Sequence, residues 1–116
     1  MTPEQGELVE RLRARLAEEP TVREVSMFGG RSFMVNEKMI ASALKNGGLL
    51  VRVAAEEHER LVERAGARQA EMGEGRDMGP GWIEVEADAI ADEGGLGEWL
   101  EVAMRYNRAV TRSAQP

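Results

Sequence analysis

The sequence predicts a two-layer α+β domain, a mainly antiparallel sheet packed against helices, with elements in the order α-β-β-β-β-α-β-β-α. Three observations carry that prediction. Apolar residues recur at helical spacing near the two ends and once in the middle. Between Val22 and Val53 the period changes to two, as a half-buried strand requires. Glycine and asparagine then cut that segment into pieces of strand length at Gly29-Gly30, Asn36-Glu37 and Asn46-Gly47-Gly48.

Thr2-Pro3-Glu4-Gln5 reads as a helix start, with Thr2 as N-cap, Pro3 at the first helical position and Gln5 closing a capping box. Leu8, Val9, Leu12 and Leu16 then share one face, and Pro20 ends the helix at Glu19. Four strands follow, Arg23–Phe28, Arg31–Val35, Lys38–Lys45 and Leu49–Val53. Asn46-Gly47 is the strongest turn signal, because a tight hairpin needs positive φ at both central residues. Leu49, Val51 and Val53 fall on one side of the last strand, Leu50 and Arg52 on the other.

Helical spacing returns from Ala54 to Ala65, with His58, Leu61, Val62 and Ala65 in one stripe and Gly66 as the C-terminal cap. Gln69–Met72 and Trp82–Glu86 read as a hairpin around a glycine-rich connection, Gly73 to Gly81. The last helix is expected from Leu96 to Val110, anchored by Trp99. One domain is therefore expected over 1–112, with 113–116 a frayed tail.

At 116 residues a single core buries roughly two thirds of the unfolded surface without a staple. The absence of cysteine excludes disulfides, thiolate metal sites and thiol redox chemistry, which leaves the cytoplasm as the expected compartment. Glu4, Glu7 and Glu10 near the start argue against a secretory signal, and no apolar run approaches the ~20 residues of a membrane span, so no membrane association is expected. The net charge of −6 opposes nonspecific nucleic-acid binding. Its distribution is uneven: residues 20–53 hold five bases against two acids, while 78–101 hold seven acids and no base.

Candidate chemistry is sparse. His58-Glu59 lacks the second histidine of a helical zinc motif, since Val62 stands there, and a packed or rim histidine is expected. Gly73–Gly81 lacks the spacing of a phosphate-binding loop and reads as a flexible connection. Ser26, Ser32 and Ser42 have no nucleophile-elbow surroundings. No catalytic residue, metal ligand or cofactor is therefore expected. The most informative short feature is Gly29-Gly30, which permits positive φ or close backbone approach at a strand end. Phe28, Gly29, Gly30, Arg31 and Phe33 form the candidate binding surface, apolar and cationic together.

Several words in this sequence resemble the TfoX/Sxy N-terminal domain family. The most specific is Met27-Phe28-Gly29-Gly30-Arg31-Ser32-Phe33-Met34-Val35-Asn36. Leu50-Val51-Arg52-Val53, Arg64-Ala65-Gly66-Ala67-Arg68, Gly75-Arg76-Asp77-Met78 with Gly81-Trp82, and Glu98-Trp99-Leu100 follow in the family's order, from about Glu7 to Arg112. Asp77 departs from it, standing where the family has proline. The resemblance implies the fold of YjbR-like proteins and type III secretion chaperones. It also implies a free-standing N-terminal domain, because competence regulators of this family continue into a second domain where this sequence stops. The function it suggests is a non-enzymatic regulatory or protein-binding module, a transcriptional co-regulator that needs no direct DNA contact of its own. A protein partner is expected, a homodimer is left open, and the alternative is a small-ligand pocket between sheet and helices.

Overall fold

A computed structural model describes residues 1–27, 29–73 and 75–113. Helix α1 spans Pro3–Arg15. A meander of β1 (Val22–Met27), β2 (Gly30–Val35), β3 (Lys38–Leu44) and β4 (Leu49–Arg52) follows. After a 3-10 turn at Ala55–Glu57 come α2 (His58–Val62), β5 (Ala67–Gln69), β6 (Trp82–Val85), a second 3-10 turn at Ala87–Ile90, and α3 (Glu93–Ser113). The expected element order is thus the observed one. Residues 114–116 of the expected tail lie outside the described residues, and α3 itself includes Ser113.

All six strands join one sheet in the order β1-β2-β3-β4-β6-β5, and every pairing is antiparallel. Register explains which residues form the core. Phe33 faces Ala41, Ala41 faces Val51 and Val51 faces Ile83, so one cross-strand row lies on one face, and all four side chains are fully buried. Alanine at 41 and 43 leaves room for helices to approach the middle of that face. Leu8, Val9 and Leu12 of α1, Leu61 of α2, and Leu96, Trp99 and Ala103 of α3 complete the same cluster. Trp99 is 3% exposed, the anchoring position expected of it.

The opposite face bears the row Val25, Ser32, Ser42, Leu50, Glu84. Its two serines are buried, and Ser32 Oγ donates to Ser42 Oγ at 2.9 Å. Pairing them offsets the cost of burying either hydroxyl alone.

Five expectations need correction. Helix α1 stops at Arg15, with Leu16 as its C-cap, and does not continue to Glu19. The capping box forms by half: Thr2 Oγ1 accepts the Gln5 N–H at 3.1 Å, but the Gln5 side chain turns inward and donates to the Ala43 carbonyl at 2.8 Å. The tight two-residue hairpin lies at Asn36-Glu37, with φ of 53° and 64°, and not at Asn46-Gly47, where only Gly47 is left-handed within a longer loop. Asn36 is held there by Thr21 and Asn107. The middle helix is a 3-10 turn followed by a short α2, since the chain must reverse through Gly66 (φ 80°) to enter β5 directly. β5 accordingly spans Ala67–Gln69, and beyond Gln69 the strand expected at 69–72 is reduced to a single bridge, Glu71 to Asp77.

Candidate functional site

β1 and β2 meet through Met27 opposite Gly30. Phe28, a member of the expected surface, lies outside the described residues. The two glycines serve different ends. Gly29 has φ 74° with open space around it. Gly30 is not left-handed; instead a β-carbon there would lie 2.8 Å from Ser42 Oγ and closer still to the Ala43 carbonyl oxygen. Close approach of β3 is therefore what requires Gly30.

Beside this turn lies an open cleft of about 380 Å³ whose walls include Met1, Ser26, Met27, Gly30, Arg31 and Lys45. Three elements build it. The start of α1 is held to the end of β3 by Thr2 Oγ1, which donates to the Lys45 carbonyl, and by the buried Gln5 amide on Ala43. The β1–β2 turn forms a second wall, and the loop after β3 brings Lys45 to the third.

Two cations reach this cleft in different states. Arg31 Nη1 donates to Glu24 Oε1 at 3.3 Å, a long bond to a carboxylate already engaged by Arg13 at 2.7 and 2.8 Å. The hydrogen bonds from Arg13, aided by its charge and that of Arg31, hold the Glu24 carboxyl below its ordinary 4.5 against the opposing effect of burial. Lys45 is exposed and has no ion pair among the described residues. The apolar part of the wall is methionine: Met1 and Met27 are 70% and 39% exposed.

The structure thus brings Gly29, Gly30 and Arg31 together and separates Phe33 from them. Phe33 shares the pleat face of Arg31, but two residues along β2 that face passes under the helices, and the ring is fully buried. Lys45, Met27, Ser26 and Gln5 were absent from the expected surface. A signal for Lys45 existed: counting outward from the turn at Asn36-Glu37 carries the end of β3 to the start of β2. The exact register was hidden by a bulge, since Phe33 faces Ala41 while Met34 faces Met39, leaving Ile40 extra.

A second polar cluster lies at the other end of the sheet. Arg52 sits 4.9 Å from the Trp82 ring and 5.0 Å from the Tyr106 ring, and its Nη2 donates to the Tyr106 hydroxyl at 3.1 Å. His58 is buried and its Nδ1 accepts the Gly81 N–H at 2.9 Å, the packed role expected of it. Among the described residues no three His, Cys, Asp or Glu side chains group to hold a metal ion. No helix of the described residues is long and apolar enough to cross a membrane.

This architecture, a six-strand antiparallel sheet with its helices on one face and a cationic, methionine-rimmed cleft at the first hairpin, defines a small α+β domain. The chain belongs to the TfoX N-terminal domain family, whose model matches residues 14–106. No curated protein and no solved structure matches it.

Proposed function

We propose that this domain is a non-enzymatic regulatory module that binds a protein partner through the cleft beside the Gly29-Gly30 turn. One observation carries the reading: two of the three large hydrophobic residues exposed among the described residues, Met1 and Met27, line that cleft together with Arg31 and Lys45. Methionine adapts to irregular apolar surfaces, and flanking cations select carboxylates. The partner is therefore a protein segment that presents an apolar side chain beside acidic ones. Around the cleft stand hydroxyl, thioether and cationic groups and no imidazole, which favours recognition over acid–base work. Membership of the TfoX N-terminal family and the likeness read from the sequence support a partner in transcription, and the lack of cysteine supports a cytoplasmic setting. The alternative, a ligand pocket between sheet and helices, has less support, because Leu12, Phe33, Val51 and Leu96 fill that interface and each is fully buried.

A photo-reactive amino acid placed at Met27 in cells, with a control at Arg68 on β5, tests the reading. Discrete protein adducts are expected at Met27 and not at Arg68, and they should vanish in Lys45→Glu. Adducts equal at both positions, or unaffected by Lys45→Glu, would overturn it.

A further inference from the structure

The sheet ends in two edges of unequal length. β5 offers three residues, whereas β1 offers six, and no other strand pairs with its outer side among the described residues. In an antiparallel ladder alternate residues exchange hydrogen bonds with the neighbour and those between them point away. The Asn36 N–H donates to the Thr21 carbonyl at 3.3 Å, and the pairing of Val22 with Val35 through Met27 with Gly30 continues that alternation. Thr21, Arg23, Val25 and Met27 therefore bond to β2, while the backbone groups of Val22, Glu24 and Ser26 face outward.

We propose that the occupant of this edge is a second copy of the chain, its β1 antiparallel to the first about a twofold axis at Val25. The register follows from the side chains, since like charges directly opposed destabilise a strand pair. An axis at Arg23 opposes two arginines, and an axis at Glu24 opposes two glutamates. An axis at Ser26 leaves Glu24 opposite position 28 and shortens the pairing of described residues to 25–27. With the axis at Val25, Val25 meets Val25 of the second copy, Glu24 meets Ser26 and Arg23 meets Met27, so five residues pair with no like charges opposed. The outward backbone groups of Glu24 and Ser26 then meet those of Ser26 and Glu24 of the second copy, as the hydrogen bonding demands. Half-buried Val25 and exposed Met27 gain cover. The two clefts come to lie at opposite ends of the shared ribbon, each with Arg23 of the other copy beside its Met27. Strand pairing alone covers less than the ~1,600 Å² of a standard interface, so association should be concentration-dependent. This pairing uses the strand edge and stands or falls independently of partner docking at the cleft.

The chain has no cysteine, so single cysteines report register directly. Facing residues of a non-hydrogen-bonded pair lie about 4.5 Å apart at Cα, within the span of a disulfide. In the full chain under mild oxidation, Val25→Cys should form a covalent dimer at least ten-fold faster than Arg23→Cys or Ser26→Cys. Sedimentation of the unmodified protein should show a monomer–dimer equilibrium that is abolished by Val25→Lys and by Ser26→Pro. Ser26→Pro removes an outward N–H that the isolated copy does not use. Equal cross-linking rates at the three positions would overturn the register. A monomer at every concentration up to the millimolar range would overturn the pairing, and so would a dimer unchanged in Ser26→Pro with its melting curve intact.

Discussion

Two glycine-bearing hairpins of this domain look alike in sequence and behave differently in structure. The connection from β5 to β6 turns its polar groups inward. The Gly81 N–H goes to His58, the Gln69 amide donates to the Gly79 carbonyl at 3.0 Å, and Arg52 lies over Trp82 and Tyr106. The turn from β1 to β2 is just as constrained at its backbone, through Gly30 against β3, yet it borders a cleft where Lys45 and two methionines keep no partner of comparable strength. Glycine content therefore marks backbone constraint in both places and binding in neither. What distinguishes them is whether neighbouring polar groups are already satisfied within the fold.

The largest expected effect tests the shared half of that comparison. Gly81 has φ 95°, and a side chain there would press on the Val53 carbonyl at 2.9 Å and on the Arg52 guanidinium. Left-handed strain and overpacking together should make Gly81→Val cost about 3–5 kcal/mol. Gly30→Val lacks the φ term and should cost about 1–3 kcal/mol through its contact with β3. Chemical denaturation of both variants checks the order. An unchanged midpoint for Gly30→Val would mean that the first turn yields where the second does not.

The side chains beside each turn should separate further. Arg52→Ala removes two ring contacts and a hydrogen bond to Tyr106, a loss of about 2 kcal/mol. Lys45→Ala should stay within about 0.5 kcal/mol of the parent, because nothing in the fold depends on that ammonium. Equal melting temperatures for these two variants would erase the contrast between an inward and an outward polar cluster.

Much of this was legible in the residues, and the reasons are local. The N-cap at Thr2, the four-strand meander and the stripe of α3 depend on neighbours within a few positions, which is the range over which capping and periodicity act. What escaped depends on distant contacts. The Gln5 amide left its capping box for Ala43, 38 residues away, and the short α2 reflects the need to place β5 against β6. Phe33 looked like a surface residue beside Arg31 because alternation alone does not say where along a strand the helices begin to cover it. Lys45 joined the cleft by a register that a single bulge on β3 conceals.

A smaller effect bears on the cleft itself. Glu24 has its carboxyl lowered chiefly by the Arg13 hydrogen bonds and also bonds Arg31. A depressed folded pKa contributes stability that is fully present above the ordinary 4.5 and is lost as pH falls through the folded value. Melting temperatures from pH 7 to pH 2 should therefore show Glu24→Gln less stable than the parent above 4.5, with the gap closing in stronger acid. Glu37 and Glu93 are lowered likewise by Arg23 and Arg11, but they are exposed, so added salt should remove their share first. A gap that persists unchanged to pH 2 would show that the amide at this position harms packing and that the ion pair is not what anchors Arg31.

The smallest expected effect is none at all: duplex DNA should not bind this domain appreciably at physiological salt. Affinity for DNA grows with the number of phosphates neutralised by Lys and Arg on one surface. Of the 15 such residues, nine arginines are already in ion pairs with the domain's own carboxylates, among them Arg13, Arg23 and Arg31 on the β1 side. Arg52 lies between Trp82 and Tyr106, and Arg64 lies 5.4 Å from the Trp99 ring. Of the others, Lys38 opens β3 and Lys45 follows its last residue, up to about 24 Å apart at ~3.4 Å per residue, too far apart to form a dense footprint. The cleft's two cations are too few to hold a phosphate backbone against a net charge of −6. A mobility-shift titration from low to physiological salt checks this. Tight binding that weakens steeply with salt would mean that the arginines exchange their carboxylate partners for phosphates, and the cleft beside Gly30 would then have to be read as the edge of a nucleic-acid surface.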